Sequence, residues 1–169
     1  MDRDEILAAL RDVGHRLLRK HLQGDLYVVG GAAIALAYNL RRTTRDVDAV
    51  FEPKQEIYQA AAEVAGDRNL DGDWLNDSVK GLLGGPDPHE THIFELPGLR
   101  VEAASPQMLL ALKVLAHRAN EDRDDLRLLV RMLGLTTADE VLDLAEGILS
   151  PMTLTIESQL FVEDVLATE

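Results

Sequence analysis

The chain has 169 residues, 46% apolar and 28% charged, the balance of a globular protein with room for one domain or for a core with a helical appendage. Its 30 acidic and 17 basic residues leave a formal charge of −13. That excludes coating of nucleic acid by bulk electrostatics, though not a nucleic-acid end held in a local basic pocket. Cysteine is absent, which excludes disulfides, thiolate metal sites and thiol nucleophiles. The charge is uneven: residues 1–45 carry 8 basic and 5 acidic side chains, and from Leu135 onward there is no Lys or Arg. Met1-Asp2-Arg3-Asp4-Glu5 lacks the order of a signal peptide, and no apolar run approaches the roughly 18 residues of a bilayer span. The expectation is a soluble, cytoplasmic protein with no membrane partner.

In chain order, Ile6, Leu7, Leu10, Val13, Leu17 and Leu18 recur at helical spacing and predict a helix over 4–22. Leu26-Tyr27-Val28-Val29 is a strand candidate that stops at Gly30-Gly31, and the Ala- and Leu-rich residues 32–40 read as helix. Asp46–Phe51 alternates like a strand and closes at Pro53; residues 55–65 read as a second helix. Residues 66–88 carry seven Asp or Asn and five Gly, the composition of a loop, within which Trp74–Lys80 is predicted as a short helix. Thr91–Leu96 and Leu99–Ala103 are strands around the turn Pro97-Gly98. Ser105-Pro106 is a helix start, an N-cap followed by proline. Helices are then predicted over 106–119, 122–133, 138–149 and about 154–167, with a capping box at Thr137–Glu140 and Ser150-Pro151 opening the last. The order predicts an α+β protein, with a mixed sheet and flanking helices over 1–104 and a helical region over 105–169 packed on it.

The chemistry concentrates in Val28-Val29-Gly30-Gly31 and Asp46-Val47-Asp48, with fourteen residues between Gly31 and Asp46. A strand running through two glycines into a helix start lets backbone N–H groups approach an anion closely. Asp46 and Asp48, two apart on a strand, project from one face. Such carboxylates repel each other unless a divalent cation lies between them. Separately each half is commonplace, since Gly-Gly marks many turns and Asp-x-Asp is often solvated. Together they describe a phosphate cradle beside a Mg²⁺ site.

This combination resembles the signature of the nucleotidyltransferase (polymerase β-like) superfamily. Gly30-Gly31-Ala32-Ala33 through Arg42-Thr43-Thr44-Arg45-Asp46-Val47-Asp48 looks like the abortive-infection AbiEii-type members. So do Leu109–Ala116 and Arg123-Asp124-Asp125-Leu126, and Trp74-Leu75-Asn76-Asp77 is similar to a stretch in small bacterial relatives. That group includes toxins of type IV-like toxin–antitoxin pairs that act in phage defence. The resemblance implies transfer of a nucleoside monophosphate from an NTP to an acceptor hydroxyl, with one or two Mg²⁺ ions. Its implied acceptors are a tRNA 3′ end or a protein side chain, and its implied partner is a cognate antitoxin. Asp46 and Asp48 are the implied metal ligands, and Gly30 and Gly31 the triphosphate cradle.

On the 106–119 helix, Lys113, His117 and Asn120 share a narrow polar stripe between two apolar flanks, so the stripe is expected to face a cleft. The resemblance assigns Lys113 to the nucleotide phosphates; the competing reading is a lysine that only snorkels. His117 is read as structural. Asp125 falls among Leu129, Met132 and Leu133 on the apolar side of its helix and needs a partner, for which Lys113 is the natural candidate. The alternative is an acidic residue stabilising a helix N-terminus. The superfamily's third carboxylate, a general base or extra metal ligand, is assigned to Glu102, with Asp77 as the fallback and a solvated strand face as the competing reading. Arg45 adjoins the metal pair and, with Arg41 and Arg42, could neutralise triphosphate charge. Two other functions stay open: a small-molecule nucleotidyltransferase of the aminoglycoside type, suited to an acidic protein, and a non-catalytic partner protein retaining the fold.

Overall fold

The computed structural model describes residues 1–169 apart from Leu40, Lys80, Leu82, Gly84, Ala119, Asn120, Thr168 and Glu169. It divides into two compact units. The first comprises Met1–Lys80 and Glu90–Ala104, the second Gly81–His89 and Ser105–Glu169. The segment Gly81–His89 thus groups with the helices. Among the described residues, no helix is long and apolar enough to cross a membrane.

The first unit is built on a five-stranded mixed sheet in the order β3-β2-β1-β5-β4. Its strands are β1 (Gly24–Val28), β2 (Val47–Glu52), β3 (Leu75–Asn76), β4 (Thr91–Leu96) and β5 (Leu99–Ala103). β1 runs antiparallel to β2 and parallel to β5, and β4 is the antiparallel hairpin partner of β5. Period-2 alternation gives the sheet two unlike faces. Leu26, Val28, Val47, Ala49, Phe51, Leu99, Val101 and Ala103 are buried, whereas the intervening Asp25, Tyr27, Asp48, Val50, Glu52, Arg100 and Glu102 are half-buried or exposed. Helices α1 (Arg3–Arg19) and α3 (Lys54–Arg68) add further apolar side chains to this core, among them Ile6, Leu10, Val13, Leu17, Ile57 and Val64. A Cβ on Gly14 of α1 would stand 2.8 Å from Leu96 and 2.9 Å from Leu99. Glycine there allows the helix to approach the β4–β5 hairpin.

The helix expected over 32–40 is two structures up to Tyr38, and Leu40, its expected end, lies outside the described residues. α2 (Gly30–Ala33) continues into a π-helical turn over Ile34–Tyr38, closed by Asn39 N–H to Ile34 O at 2.7 Å. Tyr38 ends it by donating to Ala104 O and meeting Thr91 Oγ1, both at 2.8 Å. The helix expected over 74–80 is replaced by β3. Val47 N–H donates to Trp74 O at 2.6 Å, and Leu75–Asn76 pair in parallel with Val47–Asp48. An open edge on β2 satisfies backbone groups that an isolated seven-residue helix would leave to water. Lys80, the end of that expected helix, lies outside the described residues.

The second unit is helical: α4 (Pro106–Ala116), α5 (Arg123–Leu133), α6 (Ala138–Leu149) and α7 (Ile156–Ala167). Ser105 caps α4 by accepting from Met108 N–H at 3.1 Å, and Thr137 and Glu140 form the expected capping box on α6. Leu109, Leu110, Val114, Leu126, Leu129, Val141, Leu149 and Val162 fill its core. Met132, expected on the apolar side of α5, is 45% exposed. Ser150-Pro151 does not open the last helix. Ser150 is the C-cap of α6, and α7 begins after Thr155, whose Oγ1 accepts from Ser158 N–H at 3.2 Å.

Candidate active site

The turn from β1 into α2 is the geometric centre of the site. Val29 N–H donates to Asp48 O at 2.9 Å, extending the β1–β2 ladder by one residue beyond Val28–Ala49. The chain then turns at Gly30, with φ +63°, a left-handed conformation that glycine adopts without steric cost. A Cβ at Gly30 would stand 3.3 Å from Asp48 Oδ2, and one at Gly31 would stand 3.1 Å from Thr44 Oγ1 and 3.6 Å from an Arg42 guanidinium nitrogen. Residues eighteen positions apart in sequence are thereby brought together: the missing side chain of Gly30 leaves the carboxylate of Asp48 open on that side.

Asp46 stands immediately before β2. Burial, and next the charge of Asp48, push its carboxyl above the ordinary range; Arg45 pulls the other way and Asp73 adds to the rise. Thr44 donates through Oγ1 to Asp46 O at 3.1 Å, fixing the approach to the strand. Arg45 and Arg41 are exposed. Arg42, which donates to Thr43 O at 2.6 Å, is the arginine that lies beside Gly31.

On the other flank of β2, Ser78 Oγ lies 3.3 Å from Asp48 Oδ1 and 2.7 Å from Asn76 Oδ1. Asn76 Oδ1 also accepts Ser78 N–H at 3.2 Å. Asp77, the fallback third carboxylate, accepts the Tyr58 phenol at 2.6 Å and pairs with Lys54. Lys54 first and Tyr58 second hold its carboxyl below the ordinary range. Thr44, Asn76, Ser78 and Asp73 are the neighbours that sequence reasoning missed as site residues. Their advance signals were the Arg42–Asp48 run, which contains Thr44, and the Trp74–Asp77 stretch, which contains Asn76 and adjoins Asp73 and Ser78.

Glu102 is on β5 opposite Tyr27, two strands away from β2 and two residues along β1 from the Asp48 row. Strand spacing of about 4.8 Å and a rise of about 3.3 Å per residue separate the two Cα atoms by roughly 12 Å. Glu102 is therefore not gathered with the aspartate pair. It accepts or shares a proton with His92 Nδ1 at 3.0 Å and lines a shallow pocket of about 200 Å³ with Asp25, Tyr27, Glu52, Glu90 and Arg100. Among the described residues, no three His, Asp or Glu side chains stand together as a metal cage.

Lys113 and Asp125 belong to the helical unit. Instead of opening onto a cleft, the Lys113 ammonium is 5% exposed and donates to Asp122 at 2.5 Å and Asp125 at 2.9 Å. The Asp125 pairing is the one its position on the apolar side predicts. Asp122, fully buried and also bound by Arg118 at 3.2 Å, was not anticipated; its signal is an Asp at the N-cap of α5. His117 is the left-handed C-cap of α4, its Nδ1 2.9 Å from Leu115 O, a structural place. Asn120, the third residue of the expected stripe, lies outside the described residues.

The donor set suits a magnesium ion of the kind that takes one or two carboxylates and completes its octahedron with water and substrate phosphates. Asp46 and Asp48 offer two carboxylates, and the raised titration of Asp46, caused first by burial and next by the charge of Asp48, is a cost of ionisation that a cation would offset.

No curated protein and no solved structure matches this chain significantly. Over residues 5–138 the chain matches the model of a family described as nucleotidyltransferase of unknown function (DUF6036), and it belongs to that family.

Proposed function

We propose that the chain is a Mg²⁺-dependent nucleotidyltransferase that moves a nucleoside monophosphate from an NTP to an acceptor hydroxyl. The observation that supports this reading is the apposition of Gly30 to the Asp48 carboxylate, a close-approach backbone turn beside an oxygen of the kind that could bind a metal. Asp46 and Asp48 would hold the ion, which when bound polarises the α-phosphoryl group and steadies the departing pyrophosphate. Gly30 and Gly31 offer backbone to the triphosphate. Arg42 beside Gly31 and Arg45 beside Asp46 balance its charge. Lys113 and Asp125 act in this reading through the buried ion cluster they form, which fixes α4 against the start of α5.

The acceptor we favour is an RNA 3′ end of the tRNA type, with action as the toxin-like member of an antitoxin-controlled pair. Support comes from the Gly30–Asp48 and Leu109–Leu126 resemblances and from the net-positive first 45 residues. A cationic small molecule is the second reading, favoured by the acidic pocket around Tyr27 on the sheet face that also bears Asp48. Glu102 then serves the acceptor rather than the metal. The test is incubation with each labelled NTP, Mg²⁺ and either total bacterial RNA or an aminoglycoside, with Asp48→Asn as control. Label on RNA supports the first reading and label on the aminoglycoside the second. Label on neither, or label undiminished in Asp48→Asn, would refute the assignment of this site.

A further inference from the structure

We infer that Trp74–Ser78 is a clamp that positions the Asp48 carboxylate, with Ser78 as the positioning residue in contact. The inference rests on Asp48 being a metal ligand as proposed above, but its geometry stands apart from that. The segment is anchored at both ends by contacts unrelated to any ligand. Trp74, 1% exposed, donates its indole N–H to Ala61 O of α3 at 3.0 Å. Asp77 is tied to α3 through the Tyr58 phenol and Lys54. Between these anchors Asn76 pairs with Asp48 in the β2–β3 register. The Asn76 carbonyl oxygen accepts Ser78 N–H at 3.2 Å, and the single proton of the Ser78 hydroxyl is forked between two acceptors, Asn76 Oδ1 at 2.7 Å and Asp48 Oδ1 at 3.3 Å. Among the described residues this is the one side-chain hydrogen bond to the Asp48 carboxylate.

The opposite side of the same carboxylate is where Gly30 contributes no side chain, Oδ2 being 3.3 Å from the place of a Cβ. One oxygen is thus held by a hydroxyl on β3's side while the other faces the glycine turn. A carboxylate so restrained has paid in advance the rotamer entropy that a ligand would otherwise charge it. This gives the Trp-Leu-Asn-Asp stretch a purpose that the glycine pair and Asp-x-Asp alone do not: a two-residue strand with both flanks pinned is a rigid support for the side chain next to it.

Two variants and two readouts test the clamp. In the metal-free protein, three-bond couplings across the Asp48 side chain should report one χ1 rotamer for the parent and for Ser78→Thr, and averaging for Ser78→Ala. Mn²⁺ titration followed by electron paramagnetic resonance should show about tenfold weaker binding for Ser78→Ala, the low end for loss of a ligand's supporting contact. Ser78→Thr should restore it, and the thermal midpoint of all three should agree. A single rotamer together with parental Mn²⁺ affinity in Ser78→Ala would overturn the clamp, as would failure of Ser78→Thr to rescue. A parent that binds no Mn²⁺ would refute the metal pair, and the coupling constants would still decide whether Ser78 positions Asp48.

Discussion

Replacing Gly30 with alanine tests the centre of the site on two independent counts. The backbone there has φ +63°, and an L-residue with a Cβ held in the left-handed region costs roughly 1–2 kcal/mol. For a chain of this size each kcal/mol lowers the thermal midpoint by about 2–4 °C, so Gly30→Ala should melt about 2–8 °C below the parent. The new methyl would also stand 3.3 Å from Asp48 Oδ2, close enough that the carboxylate must give by a few tenths of an ångström. NTP binding in Mg²⁺ should therefore fall further than the loss of stability explains. Gly31→Ala is the internal comparison. Its Cβ would press on the Thr44 hydroxyl at 3.1 Å, but no positive φ constrains that position, so it lacks the backbone cost and its midpoint should lie nearer the parent. Calorimetry of the metal-free proteins and equilibrium binding of labelled NTP provide the two readings. A Gly30→Ala protein that melts and binds NTP like the parent would refute both the left-handed turn and its place beside Asp48.

Asp46→Asn should abolish nucleotide transfer yet leave the metal-free protein as stable as the parent or more so. Its carboxyl titrates above the unfolded value, so between the two values the folded state holds the extra proton and stability falls as pH rises; urea midpoints against pH should show that decline in the parent and its absence in the variant. Asp77 has the opposite sign: its folded carboxyl is depressed by Lys54 and Tyr58, so its contribution is present above the unfolded carboxyl range and is lost as pH falls through the depressed value. Asp77→Asn should flatten that acid limb in the same measurement. Lys113→Met removes the shared buried cation from Asp122 and Asp125, 0% and 3% exposed, with Arg118 still bound to Asp122, and should cost about 3–5 kcal/mol. Adding Asp122→Asn and Asp125→Asn should recover much of it, and a Lys113→Met protein as stable as the parent would disprove the buried cluster.

Much of the molecule follows from short-range chemistry that the amino-acid order states outright. Ile6, Leu10, Val13 and Leu17 repeat at the period of a helix whose one face must be buried, and that face packs in the sheet unit's core. Ser105-Pro106 and Thr137–Glu140 satisfy orphan N–H groups within a single turn, so α4 and α6 begin where their caps stand. The glycine pair and Asp-x-Asp could likewise be read in advance, because each is a local demand: a turn without side chains, and two carboxylates at the start of one strand, Asp46 just before it and Asp48 on it.

The rest depended on distant partners. Trp74–Lys80 has a composition that a helix would accept, but β2 presented an unpaired edge, and its backbone groups drew Leu75–Asn76 into a strand. Ser150-Pro151 carries a start signal, yet the capping hydroxyl of α7 is that of Thr155. Glu102 has the residue type and strand setting of a third carboxylate, but register across β1 places it about 12 Å from Asp48 and beside His92 instead. Lys113 was legible as a cation in need of a partner, though not as one enclosed by two carboxylates from the start of α5. Periodicity and capping are settled within about one helical turn, where sequence neighbours are also spatial neighbours. Strand pairing, register and the pairing of buried charges join residues far apart in the chain, so only the packed fold determines which carboxylates stand near the glycine turn and which lysine is sealed away.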